Sequence, residues 1–129
     1  MLERIFGSDA LVAANQALNA SALRQQVIAN NLANINTPGY RRQVVHFESS
    51  LQAALAHRDN PLAAPFAPSL SSVTPEVATV SSTSERTDGN NVDPEAENVA
   101  LAQNAIRYDA LVELTAGQFT SLKTAILGR

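Results

Sequence analysis

From residue 8 to about residue 36, Leu11, Ala14, Leu18, Ile28, Leu32 and Ile35 recur at alternating three- and four-residue steps, on a line that also takes in Ser21 and Gln25. This spacing predicts a helix over 8–36 with one bundle-type face. Neither Pro nor Gly interrupts it before Pro38, and Ser8 and Asp9 stand where a cap is wanted. A second stripe, Ala13, Gln16, Ala20, Leu23, Val27, Asn30 and Asn34, lies elsewhere on the same helix, and the zone's only charges are Asp9 and Arg24. A solitary surface helix carries a charged outer face; this one carries alanines and amides, so both sides look for cover.

A second helical pattern closes the chain. In "GNNVDPEAE", Asp93 is a cap, Pro94 suits the first helical position, and Glu95 and Glu97 oppose the positive end of the helix dipole. Leu101, Ala105, Tyr108, Val112, Thr115, Phe119, Leu122 and Ile126 then keep a heptad-like 4-3-4-3 spacing, and Gly128 marks the stop. A helix over 94–127 is about 50 Å long at 1.5 Å per residue. Val99, Ile106, Leu111 and Leu114 are apolar off this line, so this helix also has more than one face to bury.

Between the two patterns, 59–91 is a different material: Pro61, Pro65, Pro68 and Pro75 stand among Ser, Thr and Ala, with Val77 and Val80 as a hint of strand. Gln43 to Phe47 reads as a short strand, and Phe47, Leu51, Ala54 and Leu55 as a short amphipathic helix. The organisation is therefore 1–58 for helix, turn and short amphipathic segment, 59–91 for a flexible Pro/Ser/Thr-rich linker, and 92–129 for the closing helix. The expected class is all-α: helices 8–36 and 94–127 form one antiparallel coiled-coil domain, joined by an extended, partly disordered middle with a short helix or strand.

Composition adds limits. Of the apolar residues 22 are Ala, against four Phe and two Tyr, so the core that one chain can build is thin. A net charge of -3 without a basic stripe excludes a nucleic-acid reading. Cys is absent, which removes disulfides and thiolate chemistry. "MLERIFGSDA" has neither the apolar centre nor the cleavage site of a secretory signal, so export would need another route. Catalysis needs convergent titratable groups, and the chain offers none at useful spacing. His46 and His57 lack carboxylates at ligand spacing and read as surface residues. No catalytic, metal, cofactor or small-molecule site is expected.

The most unusual stretch is "VIANNLANINTPGYRRQ", which puts Asn30, Asn31, Asn34 and Asn36 into a helix end although Asn is a poor helix former. One reading is a solvated end, capped by Asn34 or Asn36 and stopped at Thr37-Pro38 because the residue before Pro avoids the helical region. The other is a rigid corner: Asn30 and Asn34, one turn apart, form an amide ledge, Pro38-Gly39 occupies the centre of a type II turn, and Tyr40 anchors the segment after it.

These residues carry a resemblance. "SALRQQVIANNLANINTPGYRR" resembles the N-terminal signature of the bacterial flagellar axial proteins, through Ala29, Asn30, Asn31, Ala33, Asn34, Thr37, Pro38, Gly39, Tyr40 and Arg41. The closing helix resembles the partner helix of that family through Val92, Asp93, Glu97, Ala105 and Tyr108. The short middle looks like that of a proximal rod subunit, because hook and distal rod proteins carry extra β domains there. The resemblance implies a structural, non-enzymatic subunit of the basal-body rod, self-associating through its terminal helices and exported to the periplasm by the flagellar type III apparatus without a cleaved signal. Implied partners are other rod proteins of the FlgC, FlgF and FlgG types, the adaptor FliE, the export gate and the membrane ring. The seams implied in assembly are Leu11, Leu18, Ile28, Leu32 and Ile35 at one end and Leu101, Tyr108, Val112, Phe119, Leu122 and Ile126 at the other. Alternatives are another short rod subunit of the FlgC type and a cytoplasmic helical adaptor or chaperone.

Overall fold

The computed structural model describes residues 9–59, 69–81 and 86–128. The first helix, α1, spans Asp9–Ala33. It stops three residues short of the expected 36, and Asn34 to Asn36 form a turn in which the Asn34 N–H still reaches back to the Asn30 carbonyl at 3.1 Å. Ser8 lies outside the described residues. After the turn come β1, Gln43–His46, one residue shorter than expected, and α2, Glu48–Asp59, which starts one residue after Phe47 and runs four residues past Leu55.

The closing helix α3 spans Pro94–Leu127, with ends set by local chemistry. Asp93 Oδ1 accepts from the Glu95 N–H at 2.9 Å and the Ala96 N–H at 3.4 Å, and Pro94 follows at the first position. At the other end Gly128 turns left-handed (φ 68°) and donates to the Thr124 carbonyl at 2.9 Å, which a side chain with a Cβ would resist.

Part of the expected linker is built into the fold. A short 3₁₀ turn, Leu70–Ser72, is followed by β2, Glu76–Thr79, which pairs antiparallel with β1 in the register Gln43 to Thr79 and His46 to Glu76. The molecule is mostly helical with this small two-stranded sheet added. The reason is core area: α1 and α2 present mainly alanines, and Leu70 and Val73 from the middle join Ala20, Phe47 and Ala54 to complete the buried cluster. Val12, Ala13, Ala17, Leu51 and Leu55 pack around it. Residues 60–68 and 82–85, the rest of that linker, lie outside the described residues.

The two long helices differ in reach. At 1.5 Å per residue α1 is about 37 Å long and α3 about 51 Å. Asn31 of α1 meets Glu97 near the start of α3, and Ser21 meets Asn104. Most of the second half of α3 is exposed, including Val112, Leu114, Phe119, Ile126 and Leu127.

Candidate functional site

The asparagine-rich corner is a tied structure. Tyr40 N–H donates to the Thr37 carbonyl at 3.2 Å, Pro38 and Gly39 hold the central positions, and Gly39 has φ 71°, as a type II turn requires. Thr37 Oγ1 donates to Asn34 Oδ1 at 3.2 Å, and Asn34 Nδ2 donates back to the Asn30 carbonyl at 2.9 Å. A second turn lies against the first: Gly39 N–H donates to the Asp88 carbonyl at 2.9 Å, and a Cβ on Gly89 would stand 3.6 Å from the Gly39 Cα.

Two buried amides hold the corner to the rest. Asn31 is fully buried and uses its whole side chain. Its Nδ2 donates to the Gln43 carbonyl at 2.8 Å and to Glu97 Oε2 at 3.0 Å; its Oδ1 accepts from the Gln43 N–H at 2.9 Å and from the Tyr40 hydroxyl at 3.3 Å. The amide thus serves as a neighbouring strand for the outer edge of β1, whose other edge pairs with β2. Asn90, also fully buried, donates from Nδ2 to the carbonyls of Asn34, Ile35 and Thr37 at 3.0, 3.2 and 2.9 Å, which supplies partners to the end of α1. Its Oδ1 accepts from the Val92 N–H at 2.8 Å.

The expected ledge is present at Asn34, whose amide bonds Thr37 and the Asn30 carbonyl, and absent at Asn30. Asn30 is exposed and contributes its backbone carbonyl, while Asn31 supplies the buried amide. Glu97 is likewise more than a dipole partner. It is fully buried and accepts from Arg42 Nε and from Asn31, which neutralises a charge that would be costly alone. Burial, and after it the Glu97 carboxylate, pushes the Tyr40 phenol above its ordinary pKa. Sequence reasoning did not single out Arg42, Asn90 or Asn104; the available signal was the second amide pair, Asn90-Asn91, beside a helix start.

Nearer the start of α1, a groove of about 630 Å³ runs between α1, α2 and α3, lined by Ala17, Ala20, Phe47, Leu51, Ala110 and Leu111. Glu48 at its rim pairs with Arg24 at 2.7 Å and faces Arg107 at 3.9 Å. Partial burial opposes the charged form of Glu48, but its own backbone N–H, Arg24 and Arg107 together hold the carboxyl below its ordinary range. His46 is exposed and His57 half-buried, and no cluster of three metal-ligating side chains occurs among the described residues.

The seam residues are distributed unevenly. Ile28 is buried, and Leu11, Leu18, Leu32 and Ile35 are half-buried. On α3, Leu101 and Leu122 are half-buried, whereas Tyr108 and Val112 are each 43% exposed, Phe119 52% and Ile126 63%. The line that α3 turns inward instead begins with Glu97 and Asn104. Asn104 Nδ2 donates to the Ser21 carbonyl at 2.9 Å and to Gln25 Oε1 at 3.0 Å.

Known proteins share this pattern. Residues 11–41, α1 and the corner, match the sequence profile of the family described as "Flagella basal body rod protein". The chain is 39% identical over 114 residues to the flagellar basal body rod protein FlgB of Bacillus subtilis, covering 87% of this chain and 88% of that one. It is 31% identical over 120 residues to FlgB of Borreliella burgdorferi, covering 84% and 89%. With FlgB of Salmonella typhimurium the identity is 28% over 138 residues and the coverage 99% of each chain, so the likeness extends through the middle segment and α3.

Proposed function

The chain belongs to the flagellar basal body rod protein family, and on that premise we propose how it works as a structural subunit of the proximal rod. The part is mechanical and not enzymatic, as in its FlgB relatives: it associates with copies of itself and with other rod components. In the rod the two long helices pair as an antiparallel coiled coil, a reading supported by the bonds of Asn31 to Glu97 and of Ser21 to Asn104. Interlocked long helices resist bending and twisting, which is what torque transmission requires.

The observation that carries this reading is the exposed apolar side of α3. Val112, Phe119 and Ile126 on one line, and Leu114 on another face, are each roughly half exposed in the single chain. Covering the remainder at about 1.5 to 3 kcal/mol per fully buried side chain gives a gross drive on the order of 5 kcal/mol per helix before entropic costs. The same helices in neighbouring subunits, or in rod proteins of the FlgC, FlgF and FlgG types, would supply that cover, with FliE, the export gate and the membrane ring as contacts at the base. The subunit would reach the periplasm through the flagellar type III apparatus.

Phe119→Asp tests the reading. Because Phe119 is 52% exposed, the isolated subunit should keep its helical circular dichroism, while the protein should be lost from purified basal bodies and cells should stop swimming. Normal incorporation of this variant would refute the assigned face of α3.

A further inference from the structure

The side of α3 turned away from α1 carries an apolar patch. Val99 and Ile106 stand seven residues apart on one line of the helix and are 56% and 70% exposed. The reach of α3 past α1 does not account for them, because Asn104, between the two, is bonded to Ser21 of α1. Ala102 lies with them, and Glu95, Asp109 and Glu113 flank the patch, all of them exposed. At 100° per residue these six positions fall within about 80° of one another, and no Lys or Arg is among them. None of the three carboxylates has a cation partner among the described residues. Asp109 and Glu113 are one turn apart, and like charges at that spacing work against an isolated helix. The patch therefore carries apolar surface and negative charge that the single chain leaves unanswered.

The groove between α1, α2 and α3 has the opposite character. Its floor includes Ala17, Ala20, Phe47 and Leu51, where small alanines leave room for branched side chains. At the rim Arg24 Nη2 donates to both oxygens of Glu48, at 2.7 and 3.0 Å, and Arg107 stands 3.9 Å from the same carboxylate. One carboxylate between two guanidinium groups leaves the rim net positive. Arg107 is 61% exposed, so its charge is open to a partner. The other exposed line of α3, through Phe119 and Ile126, has Lys123 on its flank, which this rim would repel.

We propose that the Val99 and Ile106 face of α3 docks in the groove of a second copy, with the two branched side chains on the alanine floor and Asp109 and Glu113 toward Arg107 and Arg24. Ile106 and Arg107 are consecutive, so face and groove point about 100° apart and one copy cannot join its own two patches. The contact is heterologous: each copy still offers a free face and a free groove, so copies add in a row and do not close as a pair. One helix face in one groove is a small interface, so two free subunits meet transiently and the contact gains strength by repetition. Its use in a rod rests on the reading above; the contact itself does not.

The chain lacks Cys, so single cysteines on separate copies report the contact. Full-length Ala17→Cys, in the groove, and Ile106→Cys, on the face, are mixed at equal concentration under mild oxidation. The mixed disulfide should form at least tenfold faster than either homodisulfide, and equal rates overturn the proposal. Asp109→Lys with Glu113→Lys in the Ile106→Cys copy should slow the mixed disulfide at least fivefold. Adding Arg107→Glu to the Ala17→Cys copy should then bring it back to within threefold of the original. A rate indifferent to both changes overturns the charge pairing and with it the proposed occupant. If Ala17→Cys loses its helical circular dichroism, Ala110→Cys at the edge of the groove takes its place under the same limits. Phe119→Asp lies on another side of α3 and should leave the mixed rate unchanged; a fall overturns the assigned face. Loss of Phe119→Asp from basal bodies therefore tests the rod reading alone, and a strain with Asp109→Lys and Glu113→Lys that swims normally overturns the use of this contact in the rod.

Discussion

Replacing Asn31 by alanine removes four hydrogen bonds from a side chain with no solvent exposure: two to the backbone of Gln43, one to Glu97 and one from Tyr40. A neutral bond contributes about 0.5 to 1.5 kcal/mol net and one to a charged group about 1.5 to 3. The 3.3 Å bond from Tyr40 falls at the weak end. Bonds in one network do not add independently, so the loss is set at about 3 to 5 kcal/mol. Against a typical total of about 5 to 15 kcal/mol this is severe, and it lowers the Tm by roughly 10 to 20 °C. Asn30→Ala is the control: the residue is exposed and Ala is the better helix former, so its effect should stay within about 0.7 kcal/mol. Urea unfolding of both variants, followed by circular dichroism at fixed pH and salt, measures the difference. Equal midpoints for the two variants would refute the assignment of the buried amide to Asn31.

The same contacts set three further outcomes. Asn31→Asp sets a second carboxylate where an amide donor now stands 3.0 Å from Glu97, so the variant should be less stable than Asn31→Ala at pH 8 and recover as the pH falls toward 5; a pH-independent deficit would count against contact between the two side chains. Tyr40 is raised above 10.0 by burial first and Glu97 second, so the unfolded chain loses that proton first and stability falls as pH rises past 10. Tyr40→Phe should flatten this alkaline slope, read from urea midpoints measured across pH 9 to about 11. Glu48 lies below 4.5 in the folded chain, so the unfolded chain gains that proton first and stability falls as pH drops through and below 4.5. Glu48→Gln should reduce that acid slope by no more than about 1 kcal/mol, because the side chain is 61% exposed and screened by solvent; an unchanged slope on chemical denaturation at low salt would rule out the Arg24 contact as a stabilising one.

Features written in local chemistry were readable in advance. Asp93 and Pro94 open α3 and Gly128 closes it because caps act through neighbouring residues. The Thr37 to Tyr40 turn arises in the same way from Pro38 and Gly39. β2 and the 3₁₀ turn were less legible: Val77 is 42% exposed, and the strand exists through its pairing with β1, 30 to 36 residues away. Leu70 and Val73 give no periodic signal, yet both are buried where the small side chains of α1 and α2 leave room.

The corner shows the same division at finer scale. Asn30 and Asn31 are identical in type and adjacent, so composition and spacing rank them equally. The 100° between them places one amide in solvent and the other against β1. Asn90 is even less accessible to inspection, since its three acceptors lie more than fifty residues earlier.

The amino-acid sequence by itself determined the two long helices, the turn after α1, the thinness of the core and the membership in the rod family, because propensity, caps and heptad spacing act within a few residues. The tertiary structure alone decided which line of α3 turns inward. That choice depends on whether Glu97 and Asn104 find Asn31, Arg42, Ser21 and Gln25 at bonding distance, and such partners meet only once the chain has folded back on itself.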